Sequence, residues 1–168
     1  EEAERRRLPH ARNTPEALRT WESATTRELF QRSGVLSKEE LDARTHIRHE
    51  QYVKTINIEA QVLREMAETQ ILPAAGRDLK ERNETIIGLK ASGVPVPASV
   101  QRAVETEARI LGEAFERVAA LKASLTQAEG TEGLHQQTDA YGNEVVGAIA
   151  ALRESLDSLE ELCDARHW

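Results

Sequence analysis

The fold is decided by a central stretch of the sequence, residues 104–125, which reads VETEARILGEAFERVAALKASL. Its apolar residues recur at alternating steps close to four and three, and they are Val104, Ala108, Leu111, Phe115, Val118, Leu121 and Leu125. This spacing places them along one side of an α-helix, as in helices that pack against antiparallel neighbours. The stretch therefore predicts a long helix of an antiparallel bundle.

A second helical stripe follows towards the C-terminus. The segment 129–133, EGTEG, is polar and carries two glycines, so it predicts a loop. Residues 139–164 then predict a last helix, whose apolar stripe consists of Val145, Ile149, Leu152, Leu156, Leu159 and Cys163. The same segment carries seven acidic residues and one arginine, which give it a net charge of −6. Most of the excess negative charge of the chain therefore lies on this helix.

The N-terminal part begins with clear helix boundaries. Asn13 can cap a helix, and Pro15 fits its first turn, where the missing N–H has no partner to lose. Gly34 is a typical residue for a helix end. These residues predict a first helix that runs from Asn13 to Gly34.

The longest helical pattern covers residues 38–91. Ser37 and Glu40 can form a capping box at its start, in which each side chain accepts a hydrogen bond from the other residue's backbone N–H. Pro73 lies inside the pattern, where proline removes one hydrogen bond and bends a helix. We expect one long helix kinked near Pro73, or two abutting helices.

Composition supports a helical fold. The chain has 168 residues, of which 39% are hydrophobic and only 4% aromatic, so its core must consist of Leu, Ile, Val and Ala. The β-branched residues lie within helical periodicity and not in alternation. We predict an all-α fold, an antiparallel helical bundle of four to five helices. It forms a single domain over 13–168, preceded by a flexible lead-in over 1–12.

Charge and cysteine content narrow the possible partners and location. The formal net charge is −7 at pH 7, which argues against nucleic acid or an anionic membrane as a partner. No apolar run approaches the roughly 18 residues of a membrane span. The single Cys163 excludes an internal disulfide and is compatible with the cytoplasm. We predict a soluble cytoplasmic protein.

The two ends of the sequence bear on whether the protein is complete. The chain begins with Glu1-Glu2-Ala3, and its only methionine is Met66. We therefore expect the helical part of a larger protein.

Candidate catalytic and metal-binding residues are few. The segment 46–50, HIRHE, is the densest titratable group, but its histidines are three apart and match neither order of the zinc-protease motifs, so it predicts a solvated face. Glu132 and His135 have Glu-x-x-His spacing, yet they lie across a glycine loop and lack the second pair of a di-metal bundle. Acidic neighbours should raise the thiol pKa of Cys163, which favours a packing role. The sequence thus predicts no catalytic, cofactor-binding or metal-binding residue.

The stretch 50–60, EQYVKTINIEA, is different because polar side chains crowd its apolar core stripe. Those polar residues are Tyr52, Lys54, Asn57 and Glu59. One interpretation is a structural or interface hydrogen-bond network, in which every buried group must find a partner. The other is an ordinary amphipathic helix with its polar face outward.

This stretch also carries a family resemblance. Together with GVLSxxELxxR at 34–44 and ILPA at 71–74, residues 50–60 resemble the C-terminal helical region of type III glutamine synthetases. The resemblance is strong over about residues 8–91, weaker over 140–168 and faint between them. A run as long as YVKTINIEA is specific enough to name the family.

The resemblance implies a parent enzyme that forms glutamine from glutamate, ammonia and ATP. Magnesium or manganese would lie at sites shared by adjacent subunits of a ring-shaped homo-oligomer. The metal-binding and nucleotide-binding motifs of such enzymes lie N-terminal to this region, so no catalytic or metal-binding residue can be assigned from them. The partners implied are the catalytic portion of the same chain and neighbouring subunits, for which this region would have a structural or assembly role.

Two alternatives come from other functional classes. The chain could be a stand-alone scaffold or protein-interaction bundle, whose acidic last helix binds a basic partner. It could also be a metal-binding bundle enzyme, although the histidine spacing gives this little support.

Overall fold

A computed structural model describes residues 2–6 and 10–167, and no strand occurs among them. The α-helices of this part are α1 (Glu2–Arg5), α2 (Thr14–Glu22), α3 (Ala24–Ser33), α4 (Lys38–Met66), α5 (Leu72–Ala91), α6 (Ala98–Glu129), α7 (Leu134–Ala140) and α8 (Val146–Glu160). Two π-helical turns, Ala67–Ile71 and Tyr141–Val145, join α4 to α5 and α7 to α8. Besides the four-residue α1, this gives five continuous helical segments. The predicted all-α fold of four to five helices is confirmed.

The first predicted helix is divided in two. Its boundaries are correct, since Asn13 Oδ1 accepts a hydrogen bond from the Glu16 N–H at 3.0 Å and Gly34 ends α3 with φ 67°. The prediction of one uninterrupted helix is wrong, however. Ser23 adopts an extended conformation, with ψ 146°, and its Oγ accepts from the Thr26 N–H at 3.3 Å. The serine thus ends α2 and caps the start of α3.

The start of α4 is the predicted capping box. Glu40 N–H donates to Ser37 Oγ at 3.1 Å, and Ser37 N–H donates to Glu40 Oε2 at 2.8 Å. The two side chains therefore satisfy backbone donors that the first helical turn leaves without a partner.

The irregularity predicted near Pro73 takes the form of a π turn. Leu72 N–H bonds to the carbonyl of Ala67, five residues earlier, and Pro73 follows in the first turn of α5. A π turn contains one residue more than an α turn. Consistent with this, the buried positions step by five, from Ala67 to Leu72.

The buried face of α6 differs from the prediction in its first half. Ala108 is exposed and Phe115 is 56% exposed, although the spacing predicts both residues on the apolar stripe. The buried residues of α6 are Glu107, Ala114, Val118, Leu121, Leu125 and Ala128. Together with half-buried Leu111 they keep steps of four and three from residue 107 onward. The predicted face differs because Glu107 lies at a core position, and a glutamate does not count in an apolar pattern.

The C-terminal helical segment confirms the predicted stripe. Its buried members are Val145, Leu152, Leu156 and Leu159, and Ile149 and Cys163 are half-buried. The loop before it is also confirmed, because residues 130–133 are not helical. The segment runs from Leu134 to Glu160 and not over 139–164, so Cys163 follows the helix end.

The chain divides into two compact units. Unit 1 comprises Glu1–Glu59 and Leu125–Val146, and unit 2 comprises Ala60–Ser124 and Gly147–Trp168. The buried core of unit 1 includes Leu18, Leu41, Val53, Tyr141 and Val145. That of unit 2 includes Leu72, Ile86, Leu121, Leu152 and Leu159.

The predicted division into a lead-in over 1–12 and a single domain over 13–168 stays a prediction. Residues 1, 7–9 and 168 of these ranges lie outside the described residues.

Candidate functional site

Among the residues that the structure describes, each unit contains one cluster of side chains that could bind a metal ion. The histidine cluster of unit 1 consists of Glu22, His49 and His135. The carboxylate cluster of unit 2 consists of Asp78, Glu107 and Cys163. In each cluster the potential ligand atoms all lie within 4.8 Å of one another.

Three helices of unit 1 position the histidine cluster. Glu22 is the last residue of α2, His49 lies in α4, and His135 lies in the first turn of α7. Glu22 Oε1 lies 3.6 Å from His49 Nε2 and 3.5 Å from His135 Nε2. The imidazole rings meet edge to face, with centroids 4.5 Å apart. The break at Ser23 and the loop before α7 thus bring together groups that are far apart in the sequence.

His49 is buried, with 2% of its surface exposed. It lies four residues after buried Thr45 and four before buried Val53, so it occupies the core face of α4. The predicted solvated face is therefore wrong for His49. It is confirmed for His46, whose side chain is 61% exposed and pairs with Glu50 at 3.4 Å.

Thr138 determines which nitrogen of His49 carries the proton in the neutral ring. The Thr138 hydroxyl donates to the Leu134 carbonyl at 2.8 Å, so its oxygen accepts at the 2.9 Å contact with His49 Nδ1. The neutral imidazole therefore carries its hydrogen on Nδ1. Its Nε2 lone pair points towards Glu22 and is buried without a hydrogen-bond partner.

The environment of His49 disfavours the imidazolium form. Burial lowers the pKa of His49, and the neighbouring His135 lowers it further, while the charge of Glu22 opposes both effects. Protonation of His49 Nε2 is therefore unfavourable.

In the carboxylate cluster, Arg82 supplies a positive charge. Its Nε donates to Asp78 Oδ2 at 2.6 Å and lies 3.1 Å from Glu107 Oε2, and its Nη2 donates to the Leu162 carbonyl. The Glu107 side chain is fully buried, and neither of its oxygens has a hydrogen-bond partner. Two carboxylates therefore share one guanidinium.

This arrangement shifts the pKa values of two acidic groups. Burial raises the pKa of Glu107 to about 7. The positive charge of Arg82 lowers this pKa, and the neighbouring Asp78 raises it. Burial also raises the pKa of Cys163 to about 11, and the charges of Glu107 and Asp78 add to it. The predicted direction for Cys163 is confirmed, but the carboxylates that contribute come from α5 and α6. A thiol with this pKa is almost fully protonated at neutral pH and is not an activated nucleophile.

The predicted network over 52–59 includes two exposed residues. Lys54 is exposed and pairs with Glu50 at 3.2 Å, one helical turn earlier. Glu59 is exposed as well. The structure therefore directs these two side chains to the surface of α4.

The other two members lie closer to the core of unit 1. Tyr52 is half-buried, and burial raises its pKa. Asn57 Nδ2 donates to Glu129 Oε1 at 3.5 Å. The contacts of Asn57 and Lys54 thus lead to different partners, and an interface role for the four residues stays a prediction.

None of the helices in the described part of the chain is both long and apolar enough to cross a membrane.

Comparison with known proteins identifies the family. Residues 1–90, more than half of the chain, match the family model of the glutamine synthetase C-terminal domain. The chain belongs to this family. Two curated glutamine synthetases align with 99% of the chain at 28% identity: the glutamine synthetase of Butyrivibrio fibrisolvens, over 171 residues, and the type-3 glutamine synthetase of Dictyostelium discoideum, over 175 residues. The resemblance found in the sequence is confirmed.

This glutamine synthetase C-terminal domain spans about a quarter of the length of those relatives. It covers 24% of the bacterial enzyme and 23% of the Dictyostelium enzyme.

The two clusters of this glutamine synthetase domain do not fit the magnesium or manganese ion that the resemblance implies. Oxygen ligands suit both magnesium and manganese, and magnesium also demands octahedral geometry. The histidine cluster offers two nitrogens and one carboxylate. In the carboxylate cluster, Arg82 Nε lies within 3.1 Å of both carboxylates and already supplies the cation. We therefore assign no magnesium, manganese or ATP contact to these residues.

Proposed function

We propose that the chain is the helical module of a type-3 glutamine synthetase. The whole enzyme would form glutamine from glutamate, ammonia and ATP in the cytoplasm, with ATP and magnesium or manganese bound by its catalytic portion. The module would support that portion and the assembly of subunits, without an active site of its own. The observation that carries this proposal is the alignment of 99% of the chain with a type-3 enzyme, of which it covers 23%.

The surface of α4 supports a role in contact with the catalytic portion of the same protein. Ile58 is 64% exposed, and Ile47 is half exposed on the same helix. The two isoleucines are eleven residues apart, about three helical turns, so they lie on the same side of α4. Ile58 also falls within the 50–60 stretch that carries the family resemblance. We propose that this side of α4 contacts the catalytic portion.

The alternative of a stand-alone acidic scaffold has less support. Within 139–164, Asp139 accepts two hydrogen bonds from Arg19 at 2.6 Å, and Glu154 pairs with Arg117 at 3.1 Å. Arginines of the same chain thus neutralise part of the acidic charge that a basic partner would need.

The experiment uses the full-length protein of which this chain forms part. We expect ATP-dependent glutamine formation, measured with glutamate and ammonia, and an oligomer by size-exclusion chromatography with light scattering. Ile58→Ser should reduce assembly and activity. In the isolated chain it should change the free energy of unfolding by no more than about 0.5 kcal/mol, because the side chain is exposed.

Ile87→Ser is the matched control, since Ile87 is an isoleucine on α5 with similar exposure, 57%. It should leave assembly and activity unchanged. Equal assembly and activity of the two variants would contradict the proposed contact of α4 with the catalytic portion. A wild-type protein that forms no glutamine would refute the proposed enzyme itself.

A further inference from the structure

We propose that Glu22, His49 and His135 form a binding site for a divalent transition-metal ion of the Zn²⁺ type. The site would use Glu22 Oε1, His49 Nε2 and His135 Nε2 as ligands, with water at a fourth position. This inference does not depend on the proposed glutamine synthetase activity, because all three ligands belong to unit 1.

The distances between the ligand atoms suit a tetrahedral site. Zinc bonds to histidine nitrogen and carboxylate oxygen are about 2.0–2.2 Å long, so two ligands of a tetrahedron lie about 3.4 Å apart. Glu22 Oε1 is 3.6 Å from His49 Nε2 and 3.5 Å from His135 Nε2. Both distances are within a few tenths of an ångström of the tetrahedral value, and the two Nε2 atoms lie within 4.8 Å of each other.

The buried Nε2 atom of His49 is the second observation that points to a cation. Because Thr138 accepts the Nδ1 hydrogen, a neutral His49 directs a lone pair at the Glu22 carboxylate, which can only accept. Two acceptors that face each other need a proton or a metal ion between them. A buried polar atom without a partner destabilises the fold, and metal coordination would remove that cost.

The surroundings resemble those of known metal sites in two respects. A metal-bound histidine usually donates its other N–H to an oxygen, which fixes the ring, and Thr138 has this position for His49. His135 is 58% exposed, so the site is open to solvent on one side, where an ion could enter and a water ligand could bind.

The donor atoms also favour the class of metal. Two imidazoles and one carboxylate suit zinc, cobalt, nickel or copper, whereas magnesium and calcium prefer oxygen alone. An ion at this position would connect α2, α4 and α7, and would stabilise unit 1 by binding the folded state in preference to the unfolded one.

The test is titration of the EDTA-treated chain with ZnCl₂ in an isothermal calorimeter. We expect saturable binding of one ion per chain and a rise in the thermal midpoint when Zn²⁺ is present. Co²⁺ at the same site should give the intense visible absorption of a four-coordinate ion, and Zn²⁺ should displace it. The absence of saturable binding, or a weak six-coordinate Co²⁺ spectrum, would overturn the proposal.

Three variants locate the site. His135→Ala and Glu22→Gln should each weaken Zn²⁺ binding by more than about 100-fold, because loss of an outer-shell partner alone costs about 10–100-fold. His135 is exposed, so its variant should fold, which circular dichroism will verify. His46→Ala is the matched control, since His46 lies on the same helix, three residues from His49, and faces solvent. Loss of Zn²⁺ binding in His46→Ala, or unchanged binding in His135→Ala, would mean that the ion binds a surface histidine outside the proposed site. Either result would refute the site.

Discussion

The two units of the chain differ in the groups that surround a buried ionisable side chain. Each buries an ionisable side chain at a core position of a long helix: His49 in unit 1, and Glu107, with Asp78 on the neighbouring α5, in unit 2. In unit 2 the charge that balances Glu107 is supplied by Arg82, which also holds Asp78. In unit 1 the lone pair of His49 faces the acceptor oxygen of Glu22.

The comparison shows that the partner, and not the buried group, decides the chemistry of such a position. A carboxylate next to an arginine forms an ion pair. What can still change in such a pair is the number of protons that it binds. An imidazole next to a carboxylate and a second imidazole forms a set of ligands. Substitutions in one unit at a time test this difference.

The largest effect is expected from removing the internal cation of unit 2. Arg82→Met keeps the apolar stem but leaves Asp78 and Glu107 together without a positive charge. Breaking a buried ion pair in this way should lower the free energy of unfolding by about 3 kcal/mol at pH 8. The loss should be smaller at pH 5, where Glu107 can take up a proton. Urea unfolding at both pH values measures this difference.

Arg109→Met is the control for this substitution. Arg109 is exposed and pairs with Glu113 at 2.6 Å on the same helix. An exposed pair of this kind contributes at most about 0.5 kcal/mol. If Arg82→Met were as mild as Arg109→Met, Arg82 would not be what balances Glu107.

A smaller effect with a defined pH dependence is expected for Glu107→Gln. The pKa of Glu107 is about 7 in the folded chain and 4.5 without the fold, so the folded state holds its proton to higher pH. The wild type should therefore lose stability as the pH rises from about 5 to 8. The glutamine variant lacks this loss, and its advantage over the wild type should grow by about 2 kcal/mol across that range.

The control for the pH experiment is Glu113→Gln, which changes a glutamate on the same helix whose side chain is 41% exposed. Its stability should follow the wild-type pH curve. Parallel curves for Glu107→Gln and the wild type would contradict the raised pKa of Glu107.

The smallest effect concerns the packing of α2 at Gly142 in unit 1. A Cβ at Gly142 would lie 2.6 Å from Pro15 Cγ and 3.3 Å from Tyr52 Oη, so Gly142→Ala should force α2 to shift. Overpacking should lower the free energy of unfolding by about 2 kcal/mol, and replacing a helical glycine should raise it by about 1 kcal/mol. The net loss is therefore about 1 kcal/mol. Gly147→Ala, where a Cβ meets nothing within 4 Å, should instead stabilise the chain. Thermal unfolding of both variants tests this; equal shifts would mean that α2 does not pack closely at Gly142.

The sequence predicted those parts of the fold that depend on local contacts. Caps and loops follow from neighbouring residues, and for that reason Ser37, Glu40 and the 130–133 loop were identified correctly. The break at Ser23 was missed although Ser23 and Thr26 are also neighbours. The apolar residues Leu18, Trp21, Leu29 and Phe30 lie on both sides of the break and favour one continuous helix, in which a serine is also acceptable.

The clusters were harder to predict, for two different reasons. His49 and Glu107 lie in phase with the core positions of their helices, so strict spacing that ignored residue type could have found both. Their partners could not be found in this way. Glu22, His135, Asp78 and Arg82 reach them through tertiary packing, which leaves no fixed spacing in the sequence.

The π turn at Ala67–Ile71 makes the number of residues in this segment as important as their identity. Deletion of one exposed residue, such as Thr69, would restore a regular α-helix and rotate every later residue of α5 by about 100° around the helix axis. Asp78 and Arg82 would then leave the side on which they meet Glu107. A loop such as 130–133 can absorb a change in length locally, but here a single deletion would displace all 20 residues of α5. Insertions and deletions should therefore be excluded from 67–71 more strictly than substitutions.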